Sequence, residues 1–175
     1  MRKNTIILTN HELALISDAE VMPAKHQIIK NIAHSFNELG VTLNTYFNKT
    51  QYFKVTKGDN YEGQPYVVLD YPILKKEELE NKYRILFWWG NHIQVQYFLP
   101  ADKIQALPVT CYTDWINVHP NVFNNNPQNS QFILLADLIA NPQVFPPLVK
   151  IVRIIPLTKF SKLEEIAIEF MKVYN

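Results

Sequence analysis

The chain has 175 residues, 47% hydrophobic and 19% charged. That balance excludes an intrinsically disordered chain and lets a single domain, 1–175, bury about 70% of its unfolded surface. Seventeen Lys and Arg against sixteen Asp and Glu leave no net field to steer a polyanion, which argues against nucleic acid as a partner. The one cysteine, Cys111, can close no intramolecular disulfide and belongs to no zinc-ligand pair, so the expectation is a reducing, cytoplasmic setting without cofactor or structural metal.

Met1 to Leu8 carries two positive charges but only three consecutive apolar residues, too few for the core of a signal peptide. No stretch approaches the roughly 20 apolar residues of a bilayer crossing, so no membrane partner is expected. Thr9-Asn10-His11-Glu12 forms a capping box and predicts a short helix over 10–18. Pro23 suits the first turn of a second helix, and Ile28, Ile29, Ile32, Ala33, Phe36 and Leu39 recur at helical spacing until Gly40 offers a C-terminal cap.

From Tyr52 the period changes to two. The reading is a strand from Tyr52 to Thr56, a turn at Lys57-Gly58-Asp59-Asn60, and a second strand from Gln64 to Tyr71 closed by Pro72. A polar connection from Leu74 to Asn81 follows. Tyr83 to Trp89 and His92 to Leu99 then flank Gly90-Asn91, read as a two-residue hairpin turn. That register pairs Trp88 with Ile93, Leu86 with Val95 and Arg84 with Tyr97 on one face. On the other it pairs Trp89 with His92, Phe87 with Gln94 and Ile85 with Gln96.

Beyond Leu99, prolines interrupt most candidate elements. Tyr112 to Val118 reads as a strand, Asn124 to Asn129 as a polar loop, and Phe132 to Ala140 as a helix. Leu148 to Ile155 is ambiguous, with helical spacing but β-branched character. A last helix over 161–174, capped by Ser161, buries Leu163, Ile166, Ala167, Phe170, Met171 and Tyr174. Helices at both ends with strands between them imply an α+β fold: a two-layer arrangement of a four- to five-stranded antiparallel sheet against helices 24–39 and 161–174.

The stretch Lys57-Gly58-Asp59-Asn60-Tyr61-Glu62-Gly63-Gln64-Pro65-Tyr66-Val67-Val68-Leu69-Asp70-Tyr71-Pro72, followed by Phe87-Trp88-Trp89-Gly90-Asn91, resembles a family of uncharacterised bacterial proteins. The resemblance runs from Lys57 to about Leu99, a quarter of the chain, and implies kinship without an activity.

Three constellations are candidates for chemistry. Phe87, Trp89, His92, Gln94 and Gln96 combine aromatic bulk with directed polar groups, as small-ligand pockets do, although strand aromatics also serve packing alone. Asp70 lies in an apolar strand and needs a partner. That partner is His92, making an acid–base pair, or a local backbone or Tyr donor. Cys111, Asp114 and His119 hold the residue types of a thiol nucleophile, but a lone cysteine usually behaves as a small hydrophobe. The five histidines lack metal-ligand spacing, and glycines at 40, 58, 63 and 90 form no phosphate loop. The function expected is therefore a non-enzymatic domain that binds an apolar small molecule or a protein partner, itself included. An Asp70/His92 enzyme is the alternative.

Overall fold

The computed structural model describes residues 9–75, 78–107, 114–126, 132–140 and 145–174. The start of the chain and Cys111 lie outside them. Helices α1 (Asn10–Ser17) and α2 (Val21–Tyr46) precede strands β1 (Lys54–Tyr61), β2 (Gln64–Tyr71), β3 (Lys82–Trp88) and β4 (His92–Pro100). After a 3₁₀ turn at Ala101–Ala106 come β5 (Trp115–Asn117), β6 (Phe132–Leu134), α3 (Leu135–Ala140) and β7 (Leu148–Pro156). A second 3₁₀ turn, Leu157–Lys162, leads into α4 (Leu163–Tyr174). Among the described residues the strands form one antiparallel sheet ordered β1-β2-β3-β4-β7-β5-β6.

The α+β class holds, but the sheet has seven strands where four to five were expected. The extra strands come from the proline-rich half, where Phe132–Leu134 pairs with β5 before the chain turns helical. Leu148–Pro156 is a central strand, its branched side chains packing on the sheet on both sides of the pleat. At the other end Lys57 to Asn60 does not turn. The strand runs on to Tyr61, and Glu62 and Gly63 make the reversal at positive φ.

One side of the sheet is a continuous apolar layer. Val67, Leu69 and Tyr71 of β2, Tyr83, Ile85 and Phe87 of β3, Ile93, Val95, Tyr97 and Leu99 of β4, and Val149, Ile151 and Ile155 of β7 all belong to one core. Alternation along each strand puts them on the same side. Into it α2 presses Ile29, Ile32, Phe36, Leu39 and Leu43, and α4 presses Leu163, Ala167, Phe170, Met171 and Tyr174. Tyr97 stacks between Tyr83 and Tyr174, with centroids 4.8 and 5.3 Å away, and so ties α4 to the sheet.

Gly40 does not end its helix, which continues to Tyr46. Its value is a missing side chain, since a Cβ there would stand 2.6 Å from the Phe53 ring. Gly40→Ala is therefore expected to destabilise the protein by roughly 1 kcal/mol, because overpacking of about 1–3 kcal/mol exceeds the gain of about 1 kcal/mol in helix propensity. Chemical denaturation of Gly40→Ala alone and with Phe53→Leu tests this, and recovery in the double variant is the expected signature.

Candidate functional site

The β3–β4 hairpin closes on three residues, not two. Phe87 pairs with Ile93, Leu86 with Gln94, Ile85 with Val95, Arg84 with Gln96 and Tyr83 with Tyr97. The register is thus one residue away from the expected one. Gly90 at φ 71° and the bond from Asn91 N–H to the Trp88 carbonyl (3.1 Å) make the bend, while the Trp89 amide donates to Pro65 (3.0 Å). A three-residue loop with a left-handed glycine is a common hairpin solution. Because side chains alternate, the one-residue slip sends every β3 side chain to the opposite face. The expected group of Phe87, Trp89, His92, Gln94 and Gln96 is split in two.

Phe87 and Trp89 go with the helices. Their rings meet edge to face at 6.4 Å and line a cavity of about 520 Å³ with Ile28, Ile32, Leu157 and Phe160, Gly90 standing at its edge. Three elements part here: α2, the hairpin tip and the 3₁₀ turn before α4. Among the described residues the walls carry no titratable side chain.

Gln96 and Gln94 lie on the other side of the sheet, opposite Arg84 and Leu86, and His92 joins them with its ring 5.6 Å from that of Trp88. Gln94 and Gln96 are fully buried, as are Asn117 and Lys150 from β5 and β7, and Asn125 is nearly so. Residues 118–126 form a strap over them. The Gln96 amide donates to Gln94 Oε1 (2.7 Å) and to Asn125 Oδ1 (2.9 Å), and the Gln94 amide donates to the Asn125 carbonyl (2.6 Å). Lys150 Nζ donates to Asn125 Oδ1 (2.5 Å) and to the Asn124 carbonyl (2.9 Å), which also accepts from Asn117 Nδ2 (2.5 Å). Asn124 and Asn125, which open the polar loop expected over Asn124 to Asn129, thus fold inward.

The strap is pinned at its end. The Asn125 amide donates to the Tyr61 hydroxyl (2.9 Å) and Asn126 Nδ2 to Glu62 (3.0 Å), while Phe123 covers Arg84 and Phe98 at 5.2 and 6.1 Å. Lys150 meets no carboxylate among the described residues. Burial first, and then the charge of Arg84, hold its pKa well below the ordinary lysine value. Burial also lowers the pKa of His92, whose Nε2 lies 2.7 Å from the Gln94 amide nitrogen.

Asp70 faces this same side but takes neither of its expected partners. Arg84, directly opposite on β3, grips it with two bonds of 2.7 and 3.2 Å. His92 lies two strands over and four residues along from that row, about 16 Å away by strand spacing and rise. The two do not form a pair. Asp114 is held by Arg153 through bonds of 2.7 and 3.0 Å and by the Tyr174 hydroxyl at 2.9 Å. His119 Nδ1 accepts from the Asn121 amide at 2.9 Å.

Sequence reasoning missed Lys150, Arg84, Asn117 and Asn125. The available signal was Lys150 and Arg153 in an otherwise apolar run: three residues apart on a strand, they point to opposite faces, and each must find buried partners. Compared with known protein families, with curated proteins and with solved structures, the chain matches none. No described helix is long and apolar enough to cross a membrane.

Proposed function

We propose that this chain binds an apolar small molecule in the cavity beside Trp89. The observation that carries the reading is a preformed space of about 520 Å³ walled by Ile28, Ile32, Phe87, Trp89, Leu157 and Phe160, a size typical of small-ligand sites. With no charged wall among the described residues, recognition rests on shape and on apolar area removed from water, worth about 0.8 kcal/mol per buried methylene. The cavity opens where α2, the hairpin tip and the 3₁₀ turn before α4 part, which supports this reading. The alternative, an enzyme using Asp70 and His92, gains no support from a carboxylate already engaged by Arg84.

Titration with N-phenyl-1-naphthylamine, a neutral aromatic probe, is expected to give saturable fluorescence enhancement. A saturating apolar ligand at a hundredfold its Kd is expected to add about 2.7 kcal/mol of stability, seen as a raised Tm. Ile28 is 43% exposed at the cavity wall, so Ile28→Glu leaves folding intact and places a charge where the ligand would enter. It is expected to weaken probe binding at least about tenfold, or about 1.4 kcal/mol. Unsaturable binding, or equal binding by Ile28→Glu, would overturn the reading.

A further inference from the structure

We propose that the recess between the start of α2 and the edge strand β1 binds a small phosphomonoester that carries hydroxyl groups. The recess holds about 290 Å³ and is lined by Lys25, His26, Ile29 and Lys30 of α2 and by Lys57 and Asp59 of β1. It lies on the other flank of α2 from the cavity beside Trp89, whose wall takes Ile28 and Ile32 from the same helix. On β1, Val55 packs against the core, so alternation turns Lys57 and Asp59 to the same side, toward that helix. Lys57 and Asp59 are exposed, and a ligand reaches the recess without any movement of the chain.

The charges in this space are not balanced by the protein itself. Three lysines line it against one aspartate, an excess of two positive charges, and among the described residues Lys25, Lys30, Lys57 and Asp59 make no ion pair. Amines held around one hollow repel one another, and a bound anion replaces that repulsion with attraction. Lysines arriving from two separate elements suit the dianion of a phosphomonoester, whose terminal oxygens accept from several donors at once. His26 adds a ring N–H donor whichever tautomer it adopts.

The remaining space and the aspartate define the rest of the ligand. The recess equals the share of about ten water molecules, well beyond what a bare phosphate fills, so an organic group enters with it. An ionised aspartate only accepts hydrogen bonds and repels a phosphate. Asp59 therefore contacts the part of the ligand that brings O–H donors, and the lysines hold the anionic end. Ile29, 7% exposed, gives the carbon skeleton an apolar floor.

Titration of the full chain with glycerol phosphate at low ionic strength, followed by backbone amide chemical shifts, tests this. Saturable shifts are expected in residues 25–30 and 57–59, with weaker binding in added salt, as exposed charges require. Lys25→Gln and Lys57→Gln, on separate elements, are each expected to weaken binding about fivefold. Lys103→Gln, exposed and outside the recess, is expected to leave it unchanged. Asp59→Asn is expected to strengthen the binding of inorganic phosphate severalfold and to narrow the preference for the ester over phosphate. Shifts reproduced by sodium chloride at equal ionic strength would overturn the proposal. So would unchanged affinity in both recess lysine variants, or binding to phosphatidic acid vesicles without saturable binding of the soluble ester.

Discussion

Asp114→Ala is expected to destabilise the protein by about 3–5 kcal/mol, the cost of removing one partner from a buried ion pair. Asp114 is 1% exposed, and its carboxylate receives three hydrogen bonds, two from Arg153 on β7 and one from Tyr174 on α4. Its loss strands a guanidinium that Glu169, 3.8 Å away and largely exposed, barely screens. The bond from Tyr174 to Asp114 goes as well, which weakens the hold of the last turn of α4 on the sheet. Urea denaturation measures the loss. Asp114→Leu combined with Arg153→Met is expected to recover most of it, because replacing both members with apolar groups removes the uncompensated charge. A double variant as unstable as Asp114→Ala would show that the packing around the pair matters more than its charges.

Lys150→Met is expected to flatten the dependence of stability on alkaline pH. Burial, reinforced by Arg84, lowers the folded-state pKa of Lys150. In the window between that lowered value and the ordinary 10.5 the unfolded chain binds a proton that the folded chain does not. Stability therefore rises with pH through this window, by up to about 1.4 kcal/mol per unit. Between pH 6.5 and 10.0 the other shifted groups among the described residues contribute little. His92, with its pKa lowered from 6.5, gives a slope of the same sign only below that value. Tyr61, Tyr71, Tyr83 and Tyr97, all raised by burial from 10.0, oppose it above that value. Denaturation midpoints of both proteins between those limits check the expectation, and equal slopes would show that Lys150 keeps its proton on folding.

Helices and strand pairs with strong local periodicity were legible in the sequence. The buried stripe of α2, the second strand from Gln64 to Tyr71, the existence of the 83–99 hairpin and the stripe of α4 all follow from spacing alone. What failed was the count of residues in one turn. Gly90-Asn91 has the composition of a two-residue loop, but Trp89 lies in the bend too, and that single residue decides which face each β3 side chain takes. The cavity wall of Phe87 and Trp89 and the amide cluster around Gln94 and Gln96 therefore looked like one surface.

The polar cluster was hidden for a different reason. Lys150 meets its acceptors 25 and 26 residues away, and Asn125 meets Tyr61 across 64, separations that no local pattern encodes. Strand β7 was similarly ambiguous. Its assignment depends on pairing with β4 and β5, segments that precede it by dozens of residues.

That placement has a bearing on synthesis. Strands β1 to β4 form a meander of neighbouring hairpins that can assemble as the chain emerges, yet β7 must arrive before β4 has a partner on its far side. Until Leu148–Pro156 leaves the ribosome, the row His92–Pro100 stays an unprotected border rich in Val, Ile, Tyr and Phe, open to pairing with another nascent chain. The length of chain between them sets that exposure, so the yield of folded protein depends on how quickly a late strand reaches an early one.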